Sequence, residues 1–470
     1  MSGLAADPAL WTLAEAAGAI AARQVSSREL LRACLARIAM WQVDTNAFLD
    51  LREEQAWRMA EAADAGPPKG QLHGIPLAHK DMFYRAGQVS TCGSRLRNKW
   101  RAEVTASVLA RLDAAGAVDL GTLHMAEWAG GATGHNPWYG DARNPWDPAF
   151  ASGGSSSGSG AAVAARMVFG ALGSDTGGSI RLPASMCGVA GLRPTLGAVS
   201  RFGAMARAGS LDTVGPLART AQDCALMLAA IAGADGDDPS TAGAPGFAGV
   251  AVPDGLRGVV VGVERAMLDE ADAALRPALD AALAVLRGLG AELVEVALPE
   301  REAMLAHAAV ISGFEAAALH RQAMGATPEG FGADLFQAMQ AGLAIPAEEY
   351  QAALQARGRL GEVVAREVFG RCAVLFCPSL AAPVPTREAS RTRTGEELAR
   401  VHGALVRMTR PFSLLGLPAL ALPCGFDARG LPVGFQLAGP AWGEAAILAV
   451  GMAYERAAGW HRHTAVSPWG

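Results

Sequence analysis

The segment 152–179 holds the residues best suited to chemistry: Ser152-Gly153-Gly154-Ser155-Ser156-Ser157-Gly158-Ser159-Gly160, an apolar run over 161–172, then Gly173-Ser174-Asp175-Thr176-Gly177-Gly178-Ser179-Ile180-Arg181. A lone Gly/Ser tract reads as a flexible linker. Here core-like sequence flanks it, and Ser179 follows Ser155 by 24 residues in a second Gly/Ser turn, which argues against a tether. A phosphate loop would aim backbone N–H groups at an anion, but no G-x-x-x-x-G-K-[ST] is present. The pattern opened by Gly158 and Gly160 puts Val163 where a third small residue belongs. Acyl transfer is the remaining reading, and it needs a nucleophile, a base and donors aimed at a developing oxyanion. Gly177 and Gly178 let neighbouring N–H groups point one way, and Ser179 adds a hydroxyl beside them.

The base is less plain. The nine histidines are dispersed (His73, His79, His124, His135, His307, His320, His402, His461, His463), and no G-x-S-x-G elbow surrounds Ser179, which argues against an α/β-hydrolase. Lys80 closes the apolar stretch Ile75-Pro76-Leu77-Ala78-His79-Lys80-Asp81. A buried lysine loses its proton readily, because desolvation disfavours the ammonium. An ordinary surface lysine, or one paired with Asp81, fits the same residues, and the local sequence leaves the two open.

The elements that must position these residues alternate. The pattern predicts two amphipathic helices over 10–63, the second capped by Ser26-Ser27-Arg28-Glu29. Strands are predicted at the stretch before Asp81 and at 117–120, 168–172, 259–263, 292–296, 374–376 and 419–422, with the last candidates running to 437. Helices are predicted near 105–115, 219–233, 271–289 and 347–369. This alternation implies an α/β sandwich around a large parallel or mixed sheet flanked by helices. The turn-rich interval 234–257 reads as a surface loop, so that one domain spans 1–470, with its core over 70–235 and a helical cap or insertion over roughly 300–370.

Composition narrows the partners. The chain has 470 residues, 51% hydrophobic and 18% charged, with net charge −5 and no long basic run, which excludes an electrostatic footprint for nucleic acid. Seven scattered cysteines without a C-x-x-C pair imply reduced thiols in a cytoplasmic setting. The N-terminus lacks the basic region of a secretory signal. The apolar runs 161–172 and 414–423 are short and broken by Arg166 and Pro418, so no membrane span is expected. A small-molecule substrate, no cofactor or metal, and a monomer or homodimer are the expectations.

Three motifs together resemble the amidase signature family: Gly74-Ile75-Pro76-Leu77-Ala78-His79-Lys80-Asp81, Gly153-Gly154-Ser155-Ser156 through Ala165, and Gly173 through Arg181 with Pro183, Gly188 and Gly191-Leu192-Arg193-Pro194-Thr195. The resemblance continues to Ser210-Leu211-Asp212 and Gly416-Leu417-Pro418, and is weakest over 300–400. It implies that Ser179 attacks a carbonyl carbon. Ser155, in a cis peptide with Gly154, would pass the proton to neutral Lys80, and the N–H groups of Thr176, Gly177, Gly178 and Ser179 would hold the oxyanion. Asp175 and Arg181 would fix the loop. Ala129, Gly130 and Gly131 align with the segment that lines the acyl site and imply room for a bulky or flat group. Ser157 stands where the family has glycine and adds a competing hydroxyl. His79 stands where an apolar residue is common, next to the lysine whose pKa matters.

The implied activity is hydrolysis of amides (anilides, carboxamides) or carbamates, with possible esterase activity, since some relatives are urethanases. Met82, Met125, Trp128, Trp138, Phe202 and Met205 are apolar candidates for its pocket. One rival is the A subunit of the glutamyl/aspartyl-tRNA amidotransferase, a glutaminase. It would carry an acidic residue about ten positions before the Gly-Leu-Pro turn, where Val406 stands here, and a tyrosine-rich helix, whereas this chain has four tyrosines. A binding protein of the same fold is the other rival, disfavoured by the intact Lys80, Ser155 and Ser179.

Overall fold

The computed structural model describes residues 7–465. Its strands are β1 (Phe48–Leu51), β2 (Pro76–Lys80), β3 (Val118–Leu123), β4 (Gly170–Asp175), β5 (Ala190–Arg193), β6 (Thr213–Ala218), β7 (Val260–Glu264), β8 (Glu292–Val296), β9 (Val374–Pro378), β10 (Ala419–Phe426) and β11 (Pro432–Ala438). They form one 11-stranded mixed sheet in the order β1-β3-β2-β4-β6-β5-β10-β11-β9-β7-β8. Two parallel blocks, β3-β2-β4 and β9-β7-β8, lie on either side of an antiparallel centre. The strands that follow the 234–257 loop thus share a sheet with those before it. The fold is the α/β sandwich expected from the alternating elements.

β2, β3, β4, β5, β6, β9 and β11 are buried along their whole length, so their residues are mostly apolar or small, with His79, Lys80, Asp119, Asp175, Arg193 and Gln436 as buried polar exceptions. β1 and β8 close the two edges and are partly exposed. β2 and β4 run parallel, with His79 opposite Leu172. Their carboxyl ends therefore bring Lys80 and Ser174-Asp175 to the same rim, the place where α/β sheets seat their chemistry.

The helix Ser157–Ala164 is wholly buried, packed against β4 and the helix Arg181–Cys187. Close approach dictates its glycine: a Cβ on Gly158 would lie 2.3 Å from the Ala47 carbonyl oxygen and 2.4 Å from the His124 nitrogen. Residues 10–63 hold three helices, Leu13–Ala21, Ser27–Thr45 and Glu53–Ala65, with β1 between the last two. The predicted cap is present, since Ser26 and Glu29 form a reciprocal capping box at the start of the second.

The cap over 300–370 is Arg301–Ala326, Ala333–Leu343 and Ala347–Glu367. By length and composition alone Arg301–Ala326 is apolar enough to cross a membrane, a test that the core helix of a globular protein also meets. Arg301, Glu302, Glu315 and Arg321 interrupt it, so it presents no unbroken apolar run in the sequence. It buries Met304, Ala308, Ile311 and Ala317 against the rest of the protein. All seven cysteines are buried and unpaired.

Candidate active site

Lys80 is the last residue of β2 and is fully buried. Its Nζ donates to Ser155 Oγ at 2.7 Å and to Ser174 Oγ at 2.8 Å. Burial pushes its pKa down to about 7, against the carboxylates of Asp212 and Asp175, which favour the ammonium. At neutral pH a large share of the side chain is thus uncharged. The reading of Lys80 as a surface or Asp81-paired residue fails: Asp81 turns instead to the N–H and hydroxyl of Thr91. His79 lies 3.6 Å from Asp119, and is not among the charged groups that act on Lys80.

The Gly154–Ser155 peptide is cis. Of the three consecutive serines, Ser155 is the one that meets Lys80. Ser156 exchanges hydrogen bonds with the backbone of Ser174, and Ser157 donates to the Ser155 carbonyl at 3.4 Å. That carbonyl also accepts from the Ala126 N–H, and the Ser156 N–H donates to the Ser179 carbonyl at 3.3 Å, so the two serine segments are pinned side by side.

Ser179 sits at the turn between β4 and the helix Arg181–Cys187. The turn is fixed from below. Asp175 accepts from Arg181 at 3.0 and 3.1 Å, from Arg193 at 3.1 Å and from the Ile180 N–H at 3.2 Å, all fully buried. Burial alone would raise the Asp175 pKa; the two guanidiniums outweigh it and hold the carboxyl well below its usual range. Arg181 also reaches the Thr409 carbonyl, Gln436 and Ser413, which ties the turn to β11 and to the helix Arg410–Leu415. Gly178 has φ +143°, and a Cβ there would come within 2.3 Å of Thr409 Oγ1, so only glycine fits. Among the described residues, the N–H groups of Gly177, Gly178 and Ser179 donate to no backbone acceptor, which leaves them for a bound oxygen.

Thr176 donates to Asp212 at 2.5 Å, and the other oxygen of Asp212 takes the N–H groups of Arg207 (2.7 Å) and Ala208 (2.9 Å). The 205–212 loop is thereby strapped to the turn. Ala129 lines a narrow recess with Ser179, Thr176 and Gly177, whose cavity volume is only about 10 Å³. Trp128 and Ala129 both have positive φ, at +48° and +56°, in a segment held by Glu127, which accepts from Ser94, Trp138 and the Gly332 N–H. Gly130 packs beneath Leu335 and Arg207, and Gly131 against Ala126, so these two glycines serve close packing of that segment. Met82, Phe202 and Met205 line a second cavity with Ser174 and Asp212; Met125 is fully buried. Trp128 packs on His320, and Trp138 binds Glu127.

The family model for Amidase matches residues 29–448. The chain belongs to the amidase family. It is 39% identical to the Halorhodospira halophila protein named as the A subunit of glutamyl-tRNA(Gln) amidotransferase, across 96% of this chain and 98% of the relative. Among solved structures it is similar to a chain from a vestigial protein complex tied to the origins of an s-triazine catabolic enzyme (TM-score 0.85, 33% identity, 95% of this chain and 98% of that one). It is also similar to native peptide amidase from Stenotrophomonas maltophilia (TM-score 0.81, 31% identity, 97% and 98%).

Within this amidase fold, four participants escaped the sequence reading as such: Ser174, and the recess residues Arg207, His402 and Arg410. Ser174 stands inside the third motif, next to Asp175, and its signal was the parallel pairing of β2 with β4. The other three come from one loop (Arg207) and two helices, Gly395–Val406 (His402) and Arg410–Leu415 (Arg410), where no local pattern marks them.

Proposed function

We propose that the chain hydrolyses carbon–nitrogen bonds of amides or carbamates outside the peptide backbone, with Ser179 as nucleophile, Ser155 as proton bridge and Lys80 as base. The observation that carries this reading is the buried Lys80 Nζ, 2.7 Å from Ser155 Oγ and in no ion pair among the described residues. Neutral Lys80 keeps an N–H on Ser174 and offers its lone pair to the Ser155 proton. Ser155 in turn accepts the proton of Ser179 as Ser179 Oγ bonds to the carbonyl carbon. The negative charge on the carbonyl oxygen meets the N–H groups of Thr176, Gly177, Gly178 and Ser179. Collapse breaks the C–N bond, the amine leaves with a proton returned through Ser155, and water then cleaves the acyl ester by the same relay. A carbamate would leave Ser179 alkoxycarbonylated or carbamoylated, and its hydrolysis would end in carbon dioxide.

The relatives named as the A subunit of an amidotransferase and as peptide amidase support amide cleavage as the shared chemistry. The glutaminase alternative lacks its ammonium site: Val406 is buried and apolar, and no Asp or Glu lines the recess at Ser179. Fluorophosphonate labelling tests the proposal. The native protein is expected to label and Ser179→Ala to lose the label; an unlabelled native protein would refute the nucleophile.

A further inference from the structure

The recess beside Ser179 carries charge that amide hydrolysis does not itself require. Besides Thr176, Gly177 and Ser179 it is lined by Arg207, His402 and Arg410, and by no carboxylate. Arg410 has no hydrogen-bond or ion-pair partner among the described residues; its charged neighbour is Arg207, which repels it. Its Nε lies 3.6 Å from the point where a Cβ on Gly177 would stand, so the guanidinium rests on the very turn that would hold the oxyanion. The Arg207 guanidinium makes a single long hydrogen bond, 3.4 Å to the Trp128 carbonyl, and lies against Gly130. Asp212, the acid nearest to it in charge, spends its oxygens on Thr176 and on the backbone of Arg207 and Ala208. Both arginines are half-buried. Burial lowers each to about 10, still charged at neutral pH. His402 is held neutral, down at about 3, by burial and by the two arginines.

Two half-buried guanidiniums that make no ion pair are costly, with Asp212 acting on Arg207 alone, and an anion beside them reduces that cost. A guanidinium presents a planar fork matched to a carboxylate. We infer that the substrate is an amide or carbamate bearing a carboxylate, which Arg410 and Arg207 receive in the recess beside Ser179. This rests on Ser179 being the nucleophile. The same geometry rejects free amino acids, whose ammonium would meet two like charges and no acid.

The test compares succinamate with butyramide, which replaces the carboxylate by a methyl group. The expected kcat/KM ratio in the native enzyme is about 100 in favour of succinamate, the scale of one or two charged hydrogen bonds. That ratio should fall toward 1 in Arg410→Gln and lie between in Arg410→Lys, which keeps the charge and loses the fork. Equal rates for the two amides, or a ratio that Arg410→Gln leaves unmoved, would overturn the inference. Arg207→Lys provides a second variant if Arg207→Gln does not fold. Calorimetric titration of succinate into Ser179→Ala reads the recess independently of turnover. Binding is expected, weakened about 10- to 100-fold when Arg410→Gln is added. Absence of succinate binding while fluorophosphonate still labels the native protein would sink the carboxylate subsite alone; loss of labelling would sink the nucleophile instead.

Discussion

Lys80 Nζ donates to Ser174 Oγ at 2.8 Å and to Ser155 Oγ at 2.7 Å, so two hydroxyls share the amino group. In the proposed mechanism Ser174 is a positioning residue: it touches Lys80 and not the reacting carbonyl. Ser174→Ala should lower kcat roughly 10-fold with little change in KM, whereas Lys80→Ala should remove about 10²–10⁴-fold, the scale of general base catalysis. The loss of an acceptor that favours the ammonium should also move the acid limb of the pH profile downward in Ser174→Ala. Restoration of the native limb by Ser174→Thr would separate positioning from a merely structural role.

The pH dependence has a defined sign. In the proposed mechanism Lys80 works only when neutral, and burial brings its pKa to about 7. The kcat/KM of the native enzyme should therefore rise with pH through about 7 and level off above it, with a slope of one on the acid side. A profile without an acid limb between pH 6 and 8, measured on an uncharged amide, would contradict the assignment of Lys80 as base.

The sheet was legible in the sequence where β-branched and other apolar residues cluster between helical stretches, as in β8, β9 and β10, whose predicted positions overlap the observed ones. β6 was not, because Gly215-Pro216 inside it reads as a turn; its Pro216 is tolerated opposite Leu172 of an antiparallel partner. β1 was hidden in a helical window, being four residues at an edge. The contact between Lys80 and Ser155 joins residues 75 positions apart, and only the motif resemblance brought them together before the fold did. Arg207 and Arg410 lie beyond either signal, since their meaning comes from the partners they lack.

Gly178 offers a test of the turn itself. With φ at +143° and Thr409 Oγ1 2.3 Å from any added Cβ, Gly178→Ala must displace the turn or Thr409. The expected result is a kcat loss of at least about 10²-fold, as when an oxyanion donor is misplaced, with stability reduced by roughly 1–3 kcal/mol from backbone strain. Gly178→Ala/Thr409→Ser relieves little, because the clashing atom is the hydroxyl oxygen that serine keeps. Native-like kcat in Gly178→Ala would show that the turn's geometry does not set the rate.

Asp175 concentrates the electrostatics beneath the turn, facing Arg181 and Arg193 with no access to water. Asp175→Asn keeps the shape and leaves two buried guanidiniums without a counter-charge. The expected cost is about 3–5 kcal/mol, read as a lower urea midpoint with an unchanged slope. The sign with pH follows from a carboxyl held below its usual range: its stabilising contribution is complete above the unfolded pKa of about 4 and is lost as pH falls below that value. Acidification from pH 5 should therefore narrow the gap between native and Asp175→Asn. If the gap stayed constant through acid pH, the carboxylate would be acting as a hydrogen-bond acceptor and not through its charge, and the two arginines would need another source of compensation.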